Sequence, residues 1–289
     1  MSKQQKDQRR EAQRILDLMA KYRVPLPVEL VQSPRYAELK MPFAEVAAMM
    51  IAPLDKERST PALRDGARAV HEHFNHLLEQ LPSDVRFEGH EKPLKLACTA
   101  GCNHCCTFRV TLKAPEVLLL ANSIRKKFTP EEIDALLGRI DEFEKSTAGM
   151  SLLEQGYRSV MCPLNVDGLC QVYTHRPLNC SAYHSFSLQA CIEDRDDPSA
   201  AVSMPSDAYR RMLQTLHGQA IECALVALGL EADDLELVPA LRIALGDPGA
   251  GEKYLRGEPV FAEANRPDLR EAVNRDYEER QLTRLRMSN

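Results

Sequence analysis

The sequence predicts a mostly α-helical protein with an irregular, cysteine-rich centre and at most short strands. Three observations predict it. Apolar residues recur at steps of three and four over several long stretches, with capping residues before them and prolines or glycines after them. Alternation of apolar and polar residues is confined to one short run. Eight of the nine cysteines fall between Cys98 and Cys191, where Pro, Gly and Asn punctuate the chain.

The elements follow in order. Residues Gln5 to Lys21 read as a helix with a short apolar side made by Ile15, Leu16 and Met19, ended by Pro25 and Pro27. Its positive face is broken by Asp7, Glu11 and Asp17, which favours a solvated helix packed on the body. Pro61 to Leu81 carries Leu63, Ala67, Val70, Phe74, Leu77 and Leu81 at helical spacing, with Thr60 as the expected N-cap and Pro82 as the stop. His71, His73 and His76 lie on it at steps of two and three, so surface histidines are the expectation rather than a metal pair. Phe108, Val110 and Leu112 alternate as in a strand of a few residues. Ala114-Pro115-Glu116 opens a helix through Val117, Leu120, Ala121 and Ile124, and Thr129 with Glu132 forms a capping box for another that ends before Gly149.

Cys162 to Cys191 is expected to form loops and tight turns, with Asp167-Gly168 as a turn just before Cys170. Helices are predicted over Asp207 to Leu228 and near Asp234 to Leu245, and a loop with one helical turn over Gly246 to Pro259. Pro267 to Met287 reads as a strongly charged helix able to pair with a partner. There is no repeat at a fixed period and no low-complexity linker. The expected division is 1–92, 93–195 and 196–289, packed as one compact unit.

Composition narrows the function classes. With 289 residues there is ample material for a core. A net charge of -5, no tryptophan and few aromatics argue against a nucleic-acid partner, which needs cations against phosphate and rings against bases. No apolar run approaches a membrane span, and the polar N-terminus does not read as a secretory signal. A cytoplasmic location is expected. There thiols stay reduced, and clustered cysteines point to metal rather than to disulfides.

Four cysteines lie in Cys98-Thr-Ala-Gly-Cys102-Asn-His-Cys105-Cys106, and Cys162, Cys170, Cys180 and Cys191 form a second group. Thiolates two or three residues apart can close on one soft ion, and Gly101 permits the turn. Side chains of the adjacent pair Cys105 and Cys106 point apart in extended backbone, which suits ligands to two metals or one ligand and one spare. Eight thiolates make two four-sulfur sites or one polynuclear cluster. Zinc and iron–sulfur clusters both accept four thiolates, so the cofactor is zinc or an iron–sulfur cluster. Lys92, Lys95, Arg109, Lys113 and Arg176 stand near in sequence to offset the negative charge. His104, His175 and His184 are expected to pack nearby or to hydrogen-bond sulfur rather than to replace a cysteine. Cys223, alone in a helix, reads as a small buried hydrophobe.

Two enzymatic readings compete and are weaker. Cys98-x3-Cys102-x2-Cys105 has the spacing of radical S-adenosylmethionine enzymes, but consecutive helices follow it instead of alternating strands and helices. A single cysteine nucleophile with a histidine base explains so many crowded cysteines poorly.

The ordered set Cys98-x3-Cys102-x2-Cys105-Cys106, Cys162-Pro163-Leu164, Gly168-x-Cys170, Tyr173, Arg176-Pro177 and Cys180 resembles the YkgJ-type cysteine-cluster family of zinc- or iron-chelating domains. The pattern spans about residues 94 to 192. The resemblance implies Cys98, Cys102, Cys105, Cys106, Cys162, Cys170 and Cys180 as metal ligands; Cys191 lies beyond its core. The family commonly has an arginine after the cysteine matching Cys180, where this chain has Ser181. Arg176 is expected to cap carbonyls or pair with a carboxylate, and Pro177 to shape the turn. The resemblance extends to flagellin lysine methylases and so implies an alternative, S-adenosylmethionine-dependent methyl transfer to protein lysine. This chain has no strand-linked glycine-rich loop for that cofactor. A metal carrier or a structural interaction protein is the further alternative. A metal joining residues near 100 to residues near 180 stabilises a fold strongly, yet eight thiolates are more than stapling needs, which tilts the reading toward a functional cluster.

Overall fold

The structure, a computed structural model, describes residues 2–87, 90–150, 160–197, 202 and 204–265. It is mostly helical, as expected. Helix α1 runs over Lys3–Tyr22, α2 over Val28–Gln32, α3 over Lys40–Lys56 and α4 over Thr60–Glu79. Then come α5 (Ala114–Lys127), α6 (Pro130–Thr147), α7 (Leu178–Ala182), α8 (Leu188–Asp196), α9 (Ala208–Ala227), α10 (Leu237–Gly246) and α11 (Ala250–Leu255). The strands are two residues each and pair as three separate antiparallel ribbons: β1 (Asp84–Val85) with β2 (Leu94–Lys95), β3 (Thr111–Leu112) with β6 (Leu235–Glu236), and β4 (Asn165–Val166) with β5 (Leu169–Cys170). Among the described residues no helix is long and apolar enough to cross a membrane. The expected charged helix at 267–287 lies outside the described residues.

Helix α3 packs against α1, α4 and α9. Phe43, Val46, Ala47, Met50 and Ile51 of α3 are fully buried. Its partly exposed face also carries apolar residues, Met41, Met49 and Ala52, so periodicity singles out no helix between 28 and 56. The same apolar cluster runs from Leu30 through Ile124 and Leu164 to Ala264, so all three sequence regions share it. Helix α5 packs on α4 and α10, and α10 also meets α6.

One cap differs from expectation by one residue. The side chain of Ser59, not Thr60, accepts the Ala62 N–H at 3.3 Å, and Thr60 is buried inside the first turn. Thr129 caps α6 as predicted: its hydroxyl accepts the Glu132 N–H at 3.3 Å while the Glu132 carboxylate accepts the Thr129 N–H at 2.8 Å. Arg23, left-handed at φ 49°, ends α1 before either proline. Leu16, expected on the apolar side of α1, is 50% exposed.

Helices α3 and α4 meet at Gly66. A methyl there would lie 2.9 Å from the carbonyl oxygen of Met50, which is backbone and cannot swing away. Gly66→Ala is expected to destabilise by about 2 kcal/mol through overpacking, read as a lower urea midpoint with unchanged slope. A change within about 0.5 kcal/mol would show that the crossing has slack.

The histidines of α4 are less superficial than their spacing suggests. His71 is 7% exposed and its Nε2 lies 3.1 Å from Glu116. His73 is half-buried, with Nδ1 at 3.1 Å from Nε2 of the wholly buried His217 on α9. His217 Nδ1 donates to the Leu213 carbonyl at 2.7 Å, so its Nε2 accepts and the His73 Nδ1 carries the proton. Burial pushes His217 down from its ordinary 6.5 to about 4. Between those values the unfolded chain takes up a proton that the folded chain refuses. Stability is therefore complete above pH 6.5 and declines as pH falls toward 4, by about 3 kcal/mol. Burial pushes His73 and His184 down too, with the same sign. His217→Gln is expected to remove most of this slope, checked by urea melts at pH 7 and 4.5. An unchanged slope would place the titrating group elsewhere.

Candidate metal centre

Four backbone devices bring the two cysteine groups together. Gly101 turns the first loop at φ 88°, and the Cys102 N–H donates to the Thr99 carbonyl at 3.0 Å. A short 3-10 turn over His104–Thr107 then carries the adjacent pair Cys105 and Cys106. In the second group, Asp167 at φ 51° and Gly168 at φ 81° form the predicted tight turn, which sets Cys170 opposite Asn165 in the β4–β5 hairpin. The Cys162 N–H donates to the Cys106 carbonyl at 2.8 Å and bridges the two groups directly.

The remaining ligand candidates are on short helices, a correction to the expected loops. Cys180 lies in α7 and Cys191 in α8. Helix α7 is bolted to the body. The Leu178 N–H donates to Glu116 at 3.0 Å, and the Asn179 amide donates to the Thr111 carbonyl at 2.7 Å and accepts from Gln214 at 2.7 Å. Helix α8 is tied to the first loop by Arg195, whose guanidinium donates to His104 Nδ1 at 2.9 Å.

All nine cysteines are free thiols of intermediate exposure. Their electrostatic neighbourhoods separate them. Cys98 feels Cys102 and Cys191, and Cys191 feels Cys102. Cys162 feels Cys106 and Cys170, and Cys180 feels Cys162, Cys170 and Cys106. The Cys105 thiol donates to Cys106 and feels Cys180 and Cys98. Thus Cys98, Cys102 and Cys191 form one group, and Cys106, Cys162, Cys170 and Cys180 the other, with Cys105 leaning on the second. Cys223 lies apart, beside Glu222 and Lys113.

Burial pushes most of these thiols up, Cys162 to about 12. Cys106 is pushed the other way because the Cys105 thiol and the Asn165 amide both donate to its sulfur, the latter at 3.6 Å. It is the thiolate of the pair. The Ser185 N–H donates to the Cys98 sulfur at 3.3 Å. Two N–H donors on sulfur suit anionic, ligand-type thiolates. Among the described residues no three His, Cys, Asp or Glu side chains converge on one point as a metal requires. Coordination therefore requires the sulfurs of each group to move together.

Of the five basic residues near the cysteines in sequence, two are engaged elsewhere. Arg109 pairs with Glu236 at 3.1 Å, and Lys113 with Asp234 at 2.9 Å and Glu222 at 3.2 Å. The charge of Arg176 reaches Cys98, Cys106, Cys170 and Cys180. Its guanidinium stacks on Tyr173 at 4.0 Å from the ring centre, and its Nε is buried without a hydrogen-bond partner among the described residues. It is not the carbonyl cap or carboxylate partner expected of it.

Each histidine near the cysteines holds a hydrogen bond to a partner other than sulfur. His184 donates from Nδ1 to the Ala182 carbonyl at 2.7 Å and accepts the Asp207 N–H on Nε2 at 2.8 Å, so both nitrogens are used without touching sulfur. His104 Nδ1 is taken by Arg195, and His175 Nδ1 meets Thr174 at 2.9 Å. Asn165, Ser185 and Glu116 were not singled out by sequence. Asn165 and Ser185 act on sulfurs 59 and 87 residues away, and the helix start at Ala114-Pro115-Glu116 does not show that Glu116 also reaches His71 and Leu178. Comparison with family models, curated proteins and solved structures finds no match.

Proposed function

We propose that the protein binds thiophilic metal, zinc or an iron–sulfur cluster, through Cys106, Cys162, Cys170 and Cys180 on one side and Cys98, Cys102 and Cys191 on the other, with Cys105 between them. One observation carries the reading. Arg176 holds a buried Nε without a partner, and its charge reaches four of these sulfurs. Neutral thiols give the buried Nε no acceptor and the half-buried guanidinium no counter-charge, and a buried donor without an acceptor is unfavourable. A four-thiolate metal site is anionic and supplies that charge. The Asn165 amide on Cys106, whose thiol is pushed down, supports the same anionic state.

When bound, zinc would clamp the two loops to α7, and an iron–sulfur cluster would add electron-transfer chemistry. Asn165 and Ser185 orient sulfurs, Arg176 balances charge, and Glu116 fixes the start of the helix that presents Cys180. The methyl-transfer alternative gains no residue from this geometry.

The test is anaerobic purification with elemental analysis and a visible spectrum. Iron with acid-labile sulfide and a broad band near roughly 400 nm identifies a cluster. A colourless protein with about one or two zinc ions per chain identifies a zinc site. A correctly folded protein that holds neither metal, and takes up neither when supplied, refutes the reading.

A further inference from the structure

Beside the three-cysteine group lies a sulfur that the cysteine pattern does not include. Met204 Sδ is 3.8 Å from Cys191 Sγ, and the Tyr183 hydroxyl is 3.7 Å from the same thioether. Tyr183 is itself held edge-on to Phe108, two residues beyond Cys106, with ring centres 5.2 Å apart. Two sulfurs bound at about 2.3 Å to one tetrahedral ion stand about 3.8 Å apart, so the pair already has the spacing of two ligands. A thioether sulfur has two lone pairs; the Tyr183 hydroxyl takes one and the Cys191 thiol the other, and loss of the thiol proton on metal binding frees the second.

The count of thiolates points the same way. Cys105 is engaged with Cys106, which leaves Cys98, Cys102 and Cys191 as a set one ligand short of four. We propose that Met204 is the fourth sulfur of this group, making a three-thiolate, one-thioether site for a soft monovalent ion of the copper(I) class. A neutral thioether adds no charge to three thiolates and is a good ligand for copper(I), whereas harder divalent ions gain little from it. This rests on the reading of these cysteines as metal ligands. Without metal the same contact is a hydrogen bond from the Cys191 thiol to the Met204 thioether.

The experiment uses the full chain, metal-free and anaerobic, with 13C-methyl methionine. The Met204 methyl signal is identified by its absence from Met204→Leu. Copper(I) and zinc are titrated separately, and copper(I) affinity is measured against a chromogenic chelator. Copper(I) is expected to move the Met204 signal in the wild-type protein, and Met204→Leu to weaken copper(I) about tenfold or more while leaving zinc uptake unchanged. Copper(I) binding with an unmoved methyl signal and equal affinity in the variant would reduce the contact to packing and overturn the proposal. An equal shift with zinc would overturn the copper(I) class. Refusal of copper(I) by a protein that takes up zinc or holds an iron–sulfur cluster would overturn this proposal alone; a folded protein that takes up neither ion and holds no cluster would overturn the metal reading with it. The methyl signal is read on the wild-type protein, so the result does not depend on how the variant folds.

Discussion

Glu116→Ala is expected to lower folding stability by about 3–5 kcal/mol and to weaken metal uptake with it. The carboxylate is 6% exposed and is held by three donors: His71 at 3.1 Å, the Lys113 N–H at 2.9 Å and the Leu178 N–H at 3.0 Å. Burial pushes its pKa up, but the His71 hydrogen bond and charge, with the two backbone donors, outweigh burial and hold it below the usual carboxylate range. Alanine would leave a histidine and two N–H groups buried without an acceptor. It would also release the first residue of the helix that carries Cys180, so the two effects are linked. Glu116→Gln keeps one carbonyl oxygen but sets an amide N–H against a donor, and should fall between wild type and Glu116→Ala. Urea melts of the three proteins check this. A loss below about 1 kcal/mol for Glu116→Ala would mean that water reaches the site.

Cys102→Ser and Cys170→Ser are each expected to lower metal content and stability together, while Cys223→Ser leaves the metal untouched. Serine keeps the volume but removes the soft anionic ligand. Structural zinc contributes on the order of 10 kcal/mol of apparent binding energy in small domains. Here the helical core stands without it, so loss is expected to loosen the two loops rather than to unfold the chain. The structure sharpens the test, because Cys102 and Cys170 belong to different groups. Two separate sites predict that each variant loses part of the metal; one polynuclear cluster predicts that either variant loses all of it. Cys223 lies among Lys113 and Glu222 and packs on the apolar core. Equal metal loss in all three variants would show that this division of the cysteines is wrong. Metal per chain and thermal midpoint, measured on the same samples, decide among these outcomes.

Much of the helical frame was legible because it depends on local period and local caps. Leu63, Ala67, Val70 and Phe74 mark α4, and Thr129 with Glu132 marks the start of α6. The Asp167-Gly168 turn was equally local, because both residues tolerate positive φ. Helix α3 escaped because its partly exposed face is itself largely apolar, with Met41, Met49 and Ala52 on it, so apolar and polar residues do not alternate at a helical period. The segment Cys162 to Cys191 was read as loops and tight turns because helices of five and nine residues, α7 and α8, are too short for periodicity to register.

By itself the sequence determined the helical class, the cysteine spacing and the turns at Gly101 and Gly168. All of these are set by residues within a few positions of one another. Only the tertiary structure decided which cysteines are neighbours, that His71 is buried against Glu116, that Arg176 keeps an unpartnered nitrogen near four sulfurs, and that Met204 lies beside Cys191. The physical reason is range. A hydrogen bond or a ligand contact across 13 to 87 residues, such as Met204 with Cys191 or Ser185 with Cys98, depends on how helices pack, and packing leaves no spacing to read in the chain.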